Sequence, residues 1–403
     1  MIGTIDAAQQ RLDSLPDTDN WGVDAAQVLL DAADTLGCSD LHVVCLRDEV
    51  LARGRRDGAL IPLARIPAAR RDLLIARLKV MSRLPAFVRH EPQDGRIEWR
   101  RVAEEAPVLL RAAFLPTIHG ENIVIRFPEP AARLMELRSL GMPPDTLAAV
   151  EGLLARQEGA LLLTGPSSSG KTTTMYAMLQ HLHARRGDRL HVVTIEDPVE
   201  RDLGFAGQVQ VNEPQGLTFD RALRAAMRQD PNVLMIGEVR DAETARIAIQ
   251  AGMTGHLVIS TLHAGRASRV FTRLLSMGVE PYFVAAALTG VVAQRLARVL
   301  CPACRMAVGG DPTLGFVAEG CAECNLTGYR GRTGLFEVVP VTESLRELIL
   351  ARATSAQIAA AARSVQSGDL VSEGHRLVAS GEISRAEFEY LLAADDRDSG
   401  QEE

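Results

Sequence analysis

The chain has 403 residues, 47% of them hydrophobic, and a formal net charge of -7. That length and apolar content suit two or three domains with sizeable cores and exclude a largely disordered chain. The acidic balance argues against nucleic acid as a partner, and the N-terminus, MIGTIDAAQQRLDSLPDTDN, lacks the basic start, apolar segment and cleavage site of a secretory signal.

Residues 1–22 are expected to be a flexible arm. From Val23 the segment VDAAQVLLDAADTLG has the spacing of an amphipathic helix, and LHVVCL and VLARGR read as strands meeting near Arg47 to Glu49. ARRDLLIARLKVMSRL returns to helical spacing, and RIEWRRVAE, APVLLRAAFLP and ENIVIRFP read as further strands. Together they predict a small α+β domain over 23–127. PEPAARLMELRSLGMPPD carries prolines at both ends and reads as a linker over 128–145.

Beyond the linker, ALLLTG, HVVTIED, VLMIGE and HLVISTL are apolar strands separated by helical stretches. Such strands predict a parallel sheet buried on both faces, so the fold class is α/β over 146–394. The longest nearly apolar run, Pro281 to Ala293, falls short of the roughly 18 to 20 residues that span a bilayer. Helices are expected over 344–394 and an exposed acidic tail over 395–403. Only two of the 44 basic residues are lysines, Lys79 and Lys171.

Lys171 lies in TGPSSSGKTTT, between the strand ALLLTG and the helical run MYAMLQHLHA. That is the context a phosphate loop requires, and it assigns nucleotide binding to Gly165, Pro166, Ser167, Ser168, Ser169, Gly170, Lys171, Thr172 and Thr173. Small residues let backbone N–H groups curl around phosphates at a helix N-terminus. Lys171 is expected to reach the β- and γ-phosphates of ATP, and the Thr172 hydroxyl to ligate magnesium. Glu196, Glu238 and His263 fall at or just beyond three strand ends, where ligands collect in open parallel sheets. They are candidates for activating water and sensing the γ-phosphate; a helix cap or a solvated loop residue is the plain alternative for each.

Cys301, Cys304, Cys321 and Cys324 form two CxxC pairs separated by 16 residues. The spacing suits a tetrahedral four-sulfur zinc site of structural kind, over a zinc element at 300–325, with a redox pair or inert thiols as alternatives. Cys38 and Cys45 read as small buried residues.

GPSSSGKTTT, TIEDPVE, VLMIGEVRD and TGHLVISTLHA together resemble the Walker A loop, Asp box, Walker B strand and His box of the GspE/PilB family, the traffic ATPases of type II secretion and type IV pili. CSDLHV, RGRRDGAL, EPQDGRI and FLPTIHGENIVIR resemble that family's second N-terminal domain, and the match runs from about Cys38 to Leu392. The resemblance implies a PAS-like domain joined to a RecA-like ATPase domain, with Arg111 and Arg126 as phosphate-contacting arginines. It makes Gly237, where an aspartate would otherwise stand, normal for the family. It points to Glu238 as the residue that polarises water, with Glu196 as the second choice.

The four cysteines and GYRGRTGLFEVV resemble the assembly and secretion branch rather than the retraction branch. The resemblance implies a cytoplasmic homo-hexamer that works at the inner membrane through platform and anchoring proteins. A nucleic-acid translocase on the same core, or a regulatory subunit that binds ATP without turnover, are the competing readings. Two departures stand out: AGRASR follows His263 where many relatives have a Thr-Asn or Thr-Asp pair, and the family's first N-terminal domain is expected to be absent.

Overall fold

The computed structural model describes residues 5–100, 107–128 and 135–399. Residues 1–4 of the expected arm, 101–106 at the end of the strand read in RIEWRRVAE, 129–134 of the expected linker and 400–403 of the expected tail lie outside the described residues. The chain divides into two units: residues 1–132, 298–310 and 317–331, and residues 133–297, 311–316 and 332–403.

In the first unit the helices are α1 (Ile5–Asp13), α2 (Trp21–Thr35) and α3 (Arg71–Met81). The strands are β1 (Asp40–Cys45), β2 (Glu49–Arg56), β3 (Ala59–Pro67), β4 (Gln93–Trp99), β5 (Val108–Thr117) and β6 (Gly120–Arg126). They form one antiparallel sheet in the order β3-β2-β1-β6-β5-β4. Period-2 patterning decides its faces: Leu110, Ala112 and Phe114 of β5 are buried in a core shared with α2 and α3, while Leu109, Arg111 and Leu115 are exposed.

A helix occupies the stretch expected to be a flexible arm. Ala8 and Leu12 of α1 are buried, and the Gln9 side chain accepts from the Arg65 N–H at 2.8 Å and donates to the Arg65 carbonyl at 3.2 Å. The helix thereby satisfies an edge strand that would otherwise offer unpaired backbone groups.

The second unit begins with α4 (Pro144–Leu154), β7 (Gly159–Thr164), α5 (Lys171–Arg186), β8 (Val192–Glu196) and β9 (Gly207–Gln210). It continues with α6 (Phe219–Ala226), β10 (Val233–Ile236), α7 (Ala242–Ala251), β11 (Leu257–Thr261), α8 (Ala267–Ser276), α9 (Pro281–Ala287) and β12 (Leu288–Leu300). After the short pair β13 (Arg305–Ala307) and β14 (Phe316–Ala318), which apart from Phe316 falls in the first unit, come β15 (Tyr329–Pro340), α10 (Glu343–Leu350), α11 (Ser355–Val365), α12 (Leu370–Ala379) and α13 (Arg385–Ser399).

The large sheet has the order β15-β12-β7-β11-β10-β8-β9 and is parallel from β12 to β9. Every residue of β7, β8, β10 and β11 is buried, which is why these strands are apolar without alternation. Leu161, Leu163, Met235 and Ile259 share one core with Met175, Met178 and Leu182 of α5. Leu162, Leu234, Ile236 and Val258 share the other with α7 and α8. Registers such as Ile236 with Ile195 and Ser260, and Thr261 with Leu163, align the C-terminal ends of the strands on one edge.

Candidate active site

The phosphate loop starts where β7 stops. Thr164 is its last paired residue, and residues 165–170 turn into α5 through positive φ angles at Gly165 (150°), Ser168 (61°) and Gly170 (86°). Glycine is the residue that adopts such angles without strain. Lys171 then opens a 16-residue helix whose first N–H groups have no intrahelical acceptor, a suitable seat for an anion. Ser167, Ser168 and Thr172 are exposed, Pro166 and Thr173 are partly so, and Ser169 is buried. The Lys171 ammonium donates to the carbonyls of Gly165 at 2.8 Å and Pro166 at 2.9 Å. Burial brings its pKa down to about 8, with the Arg295 cation acting the same way and Glu238 opposing them.

Glu238 follows β10 with its side chain 23% exposed, and it pairs with Arg240, which also lies 3.7 Å from Asp197. Glu196 differs. It is only 2% exposed and accepts hydrogen bonds from Tyr176, from Thr194 at 2.5 Å and from Gln208 at 3.0 Å. The Tyr176 hydroxyl has its pKa pushed up by burial and by that bond to Glu196. One carboxylate is thus accessible and the other is enclosed.

Asp241, the last residue of VLMIGEVRD, caps α7 by accepting from the Thr244 N–H at 2.8 Å. Gly237 donates its N–H to the Ile195 carbonyl at 2.8 Å and accepts from Thr261 at 2.9 Å. A Cβ there would sit 3.4 Å from the Ile195 oxygen, an ordinary contact, so crowding alone does not require the glycine.

His263 lies two residues beyond β11 and is exposed. Its loop is tied to the end of β7 on both sides of the histidine: the Leu262 N–H donates to the Leu163 carbonyl at 2.9 Å, and the Ala264 N–H to the Thr164 hydroxyl at 3.1 Å. The fold therefore brings the Lys171, Glu238 and His263 segments to one edge of the sheet and encloses Glu196 beside them. His256, by contrast, precedes β11 and bonds the Ala251 carbonyl at 3.1 Å.

Arg111 and Arg126 belong to the first unit, where they are direct partners across β5 and β6, and both are exposed. Arg126 donates through Nε to Asp40 at 2.9 Å, and Asp40 also lies 3.9 Å from Arg55. Only the register shows that Asp40 orients Arg126, because the two are 86 residues apart. Thr194 and Tyr176 were also missed by sequence reasoning. Period-2 alternation was the available signal for Thr194, which shares a strand face with Glu196.

The sulfurs of Cys301, Cys304, Cys321 and Cys324 all lie within 4.8 Å of one another, with separations of 3.9 Å (301 to 321), 3.8 Å (304 to 324) and 3.8 Å (321 to 324). Four thiolates about 2.3 Å from a tetrahedral zinc stand roughly 3.8 Å apart, so the cluster has the size for that ion. N–H groups of Cys321 and Gly328 point at Cys324 Sγ from 3.1 and 3.2 Å. Burial opposes ionisation of Cys324, but these donors prevail and bring its pKa down to about 7.

A model of the type II/IV secretion system protein family matches residues 24–390. The type II secretion system protein HxcR of Pseudomonas aeruginosa is 42% identical over 350 residues, covering 87% of this chain and 73% of that protein. The type II secretion system ATPase E of Vibrio cholerae is 42% identical over 326 residues, covering 78% of this chain and 64% of that one. Among solved structures, the Legionella pneumophila ATPase DotB aligns with a TM-score of 0.68 at 20% identity, over 91% of this chain and 95% of that one, which speaks for a shared fold.

Proposed function

The chain belongs to the type II/IV secretion system protein family and is an ATPase, and on that premise we propose that it is the motor that powers assembly of a pilin-like fibre in a type II secretion or type IV pilus machine. The observation that carries this reading is the phosphate loop standing beside strand ends that bear Glu238 and His263, on one edge of a parallel sheet. Lys171 holds the β- and γ-phosphates of ATP, and Glu238 orients and polarises the attacking water. His263 attends the γ-phosphate, and Arg111 and Arg126 supply cations to it.

Glu196, held by three donors, acts by fixing the strand end and the Tyr176 hydroxyl rather than by taking a proton. Thr172 would hold magnesium, which offsets phosphate charge when bound. The four cysteines would hold a structural zinc, for which their separations are suited. The tetracysteine element favours assembly over retraction.

The working form we propose is a homo-hexamer on the cytoplasmic side of the inner membrane, held there by platform and anchoring proteins. No helix among the described residues is long and apolar enough to cross a membrane, in keeping with attachment through partners. The test is Lys171→Ala: steady-state ATP hydrolysis is expected to fall at least about a hundredfold, the weight of a charge-assisted contact made in the transition state. Unchanged hydrolysis in a folded variant would reject the phosphate-loop assignment.

A further inference from the structure

Gln294 and Arg295 lie in none of the motifs that mark the nucleotide site, yet they are buried beneath it, at 2% and 3% exposure. β12 runs parallel to β7, and their last register pair is Ala293 with Thr164. The next two residues of β12 therefore pass directly behind the phosphate loop. The Gln294 amide donates to the Ser169 carbonyl at 2.8 Å and accepts from the Thr174 hydroxyl at 2.8 Å, joining the loop to the first turn of α5. Arg295 donates to the carbonyl of Gln294 at 3.0 Å and to that of Gly265, two residues past His263, at 3.0 Å.

The loop's own sequence is fitted to this pair. A Cβ on Gly170 would stand 2.9 Å from Gln294 Nε2, and one on Gly165 would press on the Gln294 carbonyl. Both glycines thus serve close backbone approach from below as well as phosphates from above.

We propose that Gln294 and Arg295 are positioning residues that lock the phosphate loop and the His263 loop into one register, so that a nucleotide seated in the first loop orders the second. Neither side chain needs to touch the substrate: the Gln294 amide holds the phosphate loop, and the Arg295 guanidinium fork spans the Gln294 carbonyl of β12 and the Gly265 carbonyl of the His263 loop, which a single lysine ammonium cannot reproduce. Because a buried hydrogen-bonded cation is costly to orphan, the two loops move together or the contact is lost. This deepens the proposed function, since it takes His263 as the group that attends the γ-phosphate.

The experiment uses the full-length protein with Arg295→Lys, Arg295→Met and Gln294→Met, alone and combined with His263→Ala. In the wild type, saturating magnesium and a slowly hydrolysed ATP analogue are expected to slow hydrogen exchange of residues 262–268 about tenfold or more, the weight of one charge-assisted hydrogen bond. In Arg295→Lys that slowing disappears while residues 165–171 stay protected. The kcat is expected to fall about tenfold to a hundredfold with the KM for ATP changed less than about threefold, and little further in the double variant with His263→Ala. Gln294→Met is expected instead to raise KM, because it frees the phosphate loop itself.

If Arg295→Met does not fold, Arg295→Lys decides, since it retains the buried charge. Nucleotide-dependent protection of 262–268 that survives in folded Arg295→Lys overturns the coupling, and so does a kcat loss that adds in full to that of His263→Ala. Normal turnover by His263→Ala alone would reject the γ-phosphate role of His263, while the exchange measurement would still judge the link between the loops.

Discussion

The two carboxylates near the phosphate loop make opposite predictions when each is replaced by glutamine. Glu196 is 2% exposed and its two oxygens receive three donors, from Tyr176, Thr194 and Gln208. Glutamine offers one oxygen and an NH2 group, so either the Gln208 amide faces another donor or a hydroxyl must turn to accept and gives up its bond to a charged oxygen, in a site only 2% exposed. Losing one hydrogen bond to a charged acceptor and burying an unsatisfied group costs about 2–4 kcal/mol. For a unit of this size that corresponds to a Tm lower by roughly 4–16 °C.

Glu238 has a side chain 23% exposed and one ion pair with Arg240, so Glu238→Gln should leave stability within about 1 kcal/mol. Its loss should appear in chemistry, as a single-turnover rate lower by about 10²–10⁴ if it polarises water. Thermal unfolding followed by circular dichroism, beside single-turnover hydrolysis of both variants, separates the two roles. A Glu196→Gln variant with unchanged Tm and a collapsed rate would refute the assignment, because the enclosed carboxylate would then be the chemical one.

Three further outcomes are expected. Lys171 has a pKa lowered to about 8 from 10.5, chiefly by burial; above pH 8 the unliganded protein must take up a proton to bind phosphate through an ammonium, so the KM for ATP should rise there and stay flat below. The same shift means that the unfolded chain binds more protons between about pH 8 and 10.5, so this group's contribution to stability rises with pH in that window; a falling ATP affinity below pH 8 would contradict the assignment. Cys301→Ser with Cys304→Ser should reduce bound zinc from about one per chain to none by elemental analysis, and full metal content in the variant would dismiss the four-sulfur site. Arg111→Ala should slow hydrolysis about tenfold to a hundredfold with little change in ADP affinity, since its proposed contact is to the γ-phosphate; a pure loss of affinity would count against it.

The parts of the site legible in sequence were those whose chemistry is local. The phosphate loop, the CxxC pairs and the strand-end acids are set by spacings of a few residues, and periodicity located the buried strands that deliver them. What sequence could not supply is set by register. Asp40 reaches Arg126 because β1 pairs with β6, and Gln294 reaches Thr174, 120 residues away, because β12 pairs with β7. Nor did composition reveal α1, whose few apolar residues gain their value only from the edge of β3 that the helix covers. Equal weight on Glu196 and Glu238 was the limit of strand-end reasoning, because burial and donor count distinguish the two and neither is a local property.

The two lysines carry this distinction to its end. In a chain with 44 basic residues, nearly all arginine, lysine stands at two places. Lys171 is folded into the phosphate loop between two carbonyls. Lys79 is 0% exposed, with its ammonium on Glu121 Oε1 at 2.6 Å and on the Val88 carbonyl, inside the core beneath β6. A guanidinium carries five donors in a rigid plane, whereas an ammonium is a compact point charge, and each of these two ammonium groups meets two oxygens. Arginine serves on the surface, where either cation is solvated, and at Arg295, where a planar fork spans two carbonyls; lysine serves at the two places where a compact ammonium meets a pair of oxygens. The sequence alone shows the bias, and only the surroundings of Lys79 and Lys171 supply its physical reason.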